Sequence, residues 1–180
     1  MINPIIKKSL KSGFLLFAAN LILAATKFTP ILLLTSIILP GFLFGLLLTD
    51  KLEMKTSNTN RGTFILLSGG LYVFTSWIST GLRNNNPSYL ILLATTLGAI
   101  LLFSLYKVLL DKTVDMQRGL MLGPITGIVS SVLPLVAIYY DTEIKNEWLK
   151  WSLLFSVYLT WQPLFTWTLQ KSKATANTGI

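Results

Sequence analysis

The chain has 180 residues, 52% of them hydrophobic and only 12% charged, with a formal net charge of +8 and a mean hydropathy of +0.63. A soluble domain carries about 25% charged residues, so this chain has too little polar surface to cover itself in water. Cysteine and histidine are absent, which excludes disulfides, thiolate and imidazole metal sites, histidine proton shuttles and haem held by either residue.

The apolar residues fall into six blocks, at 10–26, 31–49, 63–82, 88–110, 119–140 and 148–169. Each approaches the ~20 residues that a membrane-spanning helix needs. The first block follows Lys7, Lys8 and Lys11 and ends in Ala24 and Ala25, a pattern shared with secretory signal peptides. The four-residue break at 27–30 leads straight into a second block, however, which favours a tight helical hairpin. Asn20 lies near mid-bilayer in the first span, where an amide needs a partner because hydrocarbon offers none. The second span carries Pro40 and the pair Gly41 and Gly45. Pro30 and Pro87 sit where the second and fourth helices begin, and a helix start tolerates proline.

Between the second and third spans, 56–60 is polar and is expected to be mobile, like the tail 173–180. The fourth span holds Ala94 and Gly98 and ends near Lys107, whose long stem lets its ammonium reach the headgroups. Asp111 and Asp115 follow, four residues apart. On a helix they would share a face and could hold a divalent cation on a diphosphate. Membrane prenyl- and phosphatidyl-transferases hold a cation this way, but their further acidic and basic motif residues are missing, and a charge-balanced loop is the plainer reading.

The fifth span spaces Gly119, Gly123, Gly127 and Ser131 four apart, which makes a small-residue face that another helix can approach closely. That face serves either packing within the bundle or a partner protein. Gly41 and Gly45, and Ala94 and Gly98, are its expected partners inside the chain. The sixth span brings Trp161, Gln162 and Trp167 together beside Pro163. With Pro40, Pro124 and Pro134, this proline can kink its helix. Kinked, glycine-containing helices surround cavities in transporters, and they are also common in ordinary bundles. Asn20, Gln162 and Trp161 are therefore the candidate ligand-binding residues.

Orientation follows from the basic residues. Eleven of the fifteen (Lys7, Lys8, Lys11, Lys51, Lys55, Arg61, Lys107, Lys112, Arg118, Lys171 and Lys173) fall on one side of the six-span arrangement. Lys27, Arg83, Lys145 and Lys150 fall on the other. The positive-inside rule then puts both termini in the cytoplasm. Tyr89, Tyr139, Tyr140, Trp148 and Trp151, with Trp77 close by, mark the outer interface; Tyr106 and Trp167 mark the inner one. The +8 charge is accounted for by this asymmetry and does not point to nucleic acid.

All seven acids lie at loops or span ends. Proton- and sodium-coupled carriers usually keep a carboxylate at depth, so this arrangement counts against them. No phosphate-binding loop, G-x-S-x-G or H-E-x-x-H motif is present. The expectation is a single all-α domain over 1–180: a six-transmembrane-helix bundle, N-in/C-in, in a bacterial cytoplasmic membrane, without cofactor or metal. In length and span count it is similar to the vitamin-binding subunits of energy-coupling-factor transporters. The leading functional expectation is a small transport component binding or passing a small, weakly polar solute. The alternative is a non-catalytic accessory subunit or an immunity-type membrane protein, with a membrane-protein partner on the fifth helix. An enzyme would have only Asp111 and Asp115 to work with.

Overall fold

The computed structural model describes residues 4–26, 31–32, 34–49, 56–81 and 88–173. Their secondary structure is helical, with no strand among them. The helices are α1 (Pro4–Thr26), α2 (Leu34–Thr49), α3 (Asn58–Gly81), α4 (Ser88–Leu109), α5 (Met116–Tyr139) and α6 (Glu147–Lys173). Long apolar runs favour this outcome because a helix satisfies its backbone hydrogen bonds internally and leaves none to an apolar surround. α1, α3, α4 and α5 are long and apolar enough to cross a membrane. α2 is shorter. α6 has the length, but Gln162 and its many hydroxyl and indole groups lower its hydropathy.

Several helices start outside the apolar blocks. α1 begins at Pro4 and carries Lys7, Lys8 and Lys11 on its first turns. α3 begins at Asn58, within the polar segment 56–60 that composition reads as mobile. The Ser57 hydroxyl accepts the Asn60 N–H at 3.2 Å, and the Thr56 hydroxyl donates to the Leu110 carbonyl at 3.0 Å. Hydropathy locates the apolar stretch of a helix, whereas caps locate its ends. Asp115 caps α5 by accepting from the Gln117 and Arg118 N–H groups at 2.9 and 3.4 Å. Asn146 caps α6 through the Leu149 N–H at 3.2 Å. The breaks at 27–30, 50–55 and 83–87 lie outside the described residues, as does the tail beyond Lys173.

The helices alternate in direction and form a ring in chain order. α2 packs on α3, α3 on α4, α4 on α5 and α5 on α6, and α6 returns against α1. α1 and α2 meet more sparsely. One end of the bundle gathers the start of α1, the end of α2, the start of α3, the α4–α5 connection and the end of α6. There the Asp115 N–H donates to the Ser172 carbonyl at 3.3 Å, and Lys173 pairs with Asp111 at 2.8 Å. Lys150 and Asp141 pair at the opposite end.

Large apolar side chains cover the outside, among them Phe14, Ile22, Leu66, Met121, Ile125 and Val132. Hydroxyls and amides are sequestered inside, including Ser68, Thr126, Ser130, Ser131, Thr166 and Thr168. Such a surface suits lipid rather than water. Tyr89, Tyr139, Tyr140, Trp148 and Trp77 are exposed, whereas Trp151 is half-buried and stacks on Phe155, and Tyr106 is only 2% exposed and belongs to the core.

The glycine faces pair differently from the expectation. Gly41 and Gly45 face Ser68 on α3, whose hydroxyl donates to the Gly41 carbonyl at 2.9 Å. Gly98 faces Thr75 on α3, and Ala94 clusters with Ile78. The α5 face does meet α4, but through Thr96, Ile100 and Phe103. Small residues permit close approach without naming the partner; the order of helices around the ring decides which neighbour is there.

Candidate functional site at Gln162

α6 turns one face to the interior of the ring. Phe155, Tyr158, Trp161, Gln162, Phe165 and Leu169 are among its buried residues, on the i, i+3, i+4 spacing of one helix face. Rings from three other helices meet on it. Trp161 lies 5.5 Å from Phe44 of α2 and 5.3 Å from Tyr72 of α3, both edge-on, and stacks on Phe165 at 5.3 Å. Phe103 of α4 meets Phe165 at 6.3 Å. The Trp161 indole N–H reaches the Thr95 carbonyl at 3.4 Å.

Gln162 is 0% exposed, and neither its amide nitrogen nor its amide oxygen has a hydrogen-bond partner. The Tyr72 hydroxyl stands beside this amide, and Tyr158 lies near Tyr72. Burying a primary amide without partners costs about 1–3 kcal/mol. Buried polar groups in native proteins are nearly always paired, so an unpaired one calls for an explanation.

Asn20 is also 0% exposed, but it is satisfied. Its nitrogen donates to the Leu16 carbonyl at 2.8 Å and approaches the Thr35 carbonyl at 3.4 Å. The Thr35 hydroxyl donates to the Asn20 oxygen at 3.0 Å. Asn20 thus clamps α1 to α2, and no bond joins it to Gln162. Between them, the Tyr158 hydroxyl donates to the Ser36 carbonyl. Ser36 lies in the π-helical opening of α2, Leu34–Ile38. Its carbonyl stands four residues before Pro40, which has no N–H to give it. The phenol supplies a donor there.

The structure therefore brings Trp161 and Gln162 together and keeps Asn20 apart. Trp167 is 41% exposed and faces away from the interior. Gly119, Gly123 and Gly127 are buried against the chain's own α4, and Ser131 is buried as well. Sequence reading missed Tyr72, Tyr158 and Phe44. Tyr158 could have been found, since it sits one helical turn before Gln162 on the same face. Tyr72 and Phe44 carry no such signal, because they arrive from other helices.

Asp111 and Asp115 do not share a helix face. The segment between α4 and α5 is a turn, in which Asp111 accepts from the Thr113 hydroxyl and N–H and pairs with Lys173. Burial pushes the Asp111 pKa up, but the Lys173 and Thr113 donors outweigh it and hold the carboxyl below its usual value. Burial likewise lowers the Lys173 pKa, and the Tyr106 oxygen at 2.9 Å and the Asp111 carboxylate more than reverse it. Both acids are committed to structure, Asp111 to a latch on the end of α6 and Asp115 to the α5 cap. What the interior offers is an amide donor and acceptor, phenol hydroxyls and aromatic faces, which is the chemistry of binding.

No family model, curated protein or solved structure matches this chain.

Proposed function

We propose that the chain is a small transport component of a bacterial cytoplasmic membrane, with six spans and both termini cytoplasmic, and that Gln162 is its contact for a small, weakly polar solute. The unpartnered Gln162 amide carries this reading. A solute with one hydrogen-bond donor and one acceptor would satisfy both amide atoms, while Trp161 and Tyr72 contribute aromatic surface. Two breaks in helix bonding lie beside the amide. Pro163 withholds a donor from the Leu159 carbonyl, and the π-helical stretch of α2 stands across from Tyr158. Such irregular backbone is common where helices line a binding site. The accessory-subunit and immunity-type alternative would need a surface other than the Gly119–Ser131 face, since α4 fills that one.

The test is a thermal-shift screen of the purified chain against neutral amides, polyols, nucleobases and vitamins, followed by uptake into liposomes. A solute that stabilises the wild type and is taken up should do neither with Gln162→Leu, and should still do both with Asn20→Thr. An absence of any shift or uptake across the panel would overturn the proposal, as would unchanged uptake by Gln162→Leu.

A further inference from the structure

A cavity of about 790 Å³ opens between α1, α2 and α3, where α1 and α2 are sparsely joined. Its rim at the basic end of the bundle carries Lys8, Lys11 and Arg61, and no acidic residue is among its described lining residues. Lys8 and Arg61 also interact within the protein, and Lys11 is exposed. Below the cations the wall is apolar, and Leu15, Leu43 and Leu46 in it are 58%, 36% and 50% exposed.

The length of the slot is informative. Its lining runs from Lys8 to Ala19 on α1 and from Leu39 to Thr49 on α2. At about 1.5 Å per residue these stretches span roughly 15–17 Å. That is half of a hydrocarbon core about 30 Å thick. The slot is therefore one leaflet deep, cationic at headgroup level and aliphatic beneath.

We propose that this slot binds an anionic phospholipid of the leaflet facing the basic end. Its phosphate and headgroup would sit on Lys8, Lys11 and Arg61, with an acyl chain laid along Leu15, Leu43 and Leu46. Basic pockets between spanning helices suit anionic lipid headgroups. A second copy of the chain fits less well, because a copy inserted in the same sense brings its own basic end to this rim. The inference is independent of any solute at Gln162.

The experiment uses the purified full chain and native mass spectrometry, with phosphatidylglycerol and phosphatidylcholine as probes. Phosphatidylglycerol should be retained preferentially. Lys11→Gln should weaken it roughly fivefold, the factor given by about 1 kcal/mol per basic residue near an anionic lipid surface. Leu46→Trp should displace the lipid while leaving every charge in place. Lys112→Gln, an exposed cation at the same end but outside the slot, should change nothing. Equal retention of phosphatidylcholine would overturn the proposal. So would an equal loss with Lys112→Gln, unaltered binding by Leu46→Trp, or a second protein copy in place of lipid.

Discussion

At the residue scale, Asn20 and Gln162 are chemically alike and differ in their partners. Asn20 has a donor and acceptors supplied by Leu16 and Thr35, and its removal breaks a clamp between two helices. Gln162 has neither a donor nor an acceptor partner. Replacement by leucine should therefore affect stability differently at the two positions. Asn20→Leu should lower it by about 1 kcal/mol, typical of an interhelical hydrogen bond in a membrane protein. Gln162→Leu should leave it unchanged or raise it by up to about 2 kcal/mol, since an unsatisfied buried amide is replaced by a residue with nothing to satisfy. Equilibrium unfolding in mixed micelles reads both. A loss of stability in Gln162→Leu equal to that in Asn20→Leu would mean that the glutamine is paired after all. A gain in stability coupled to loss of solute response would mark Gln162 as kept for function.

At the element scale, the α4–α5 contact decides how tightly the ring closes. A Cβ at Gly127 would stand 2.5 Å from the Thr96 Cα, which is backbone and cannot rotate away. A Cβ at Gly119 would overlap the Phe103 ring, itself 1% exposed in the core. Gly123 is looser, with the Ile100 side chain 3.3 Å from the added atom. Gly127→Ala should therefore cost about 1–3 kcal/mol through overpacking, and Gly123→Ala less than about 1 kcal/mol on the same principle. Thermal unfolding of the two variants side by side checks the ranking. Equal effects would mean that α4 and α5 are farther apart than described. The glycine spacing was plain in the sequence. Its partner was not, since Gly41, Gly45, Ala94 and Gly98 offered equally good grooves and all face α3 instead.

At the scale of the whole molecule, the alternating helices gather Lys8, Lys11, Arg61, Lys112, Arg118, Lys171 and Lys173 towards one end, and Lys145 and Lys150 towards the other. For the proposed orientation, labelling gives a clean readout, because the chain has no cysteine of its own. Lys112→Cys should react with an impermeant maleimide only after the cytoplasmic face is opened, and Lys145→Cys should react from outside in intact cells. The reverse pattern would invert the topology. Labelling of both from one side would remove a span. The ring also explains where a lipid slot can form. Five of the helix seams are broad among the described residues, and the cavity opens at the sparse α1–α2 seam.

The helical character of the chain was determined by the sequence alone, because apolar length and the need to satisfy backbone hydrogen bonds act along the chain. The grouping of basic residues and the apolar exterior were legible for the same reason. The ends of α1 and α3 were read less well, since caps and interhelical bonds set them. Only the tertiary structure decided that Asn20 is spent on Thr35 while Gln162 is left unpaired, and that the α5 glycines belong to α4. It also decided that Asp111 holds Lys173 and that Tyr158 serves a carbonyl ahead of Pro40. Each of these depends on which side chain arrives from another helix, and hydropathy and spacing within one helix carry no information about that arrival.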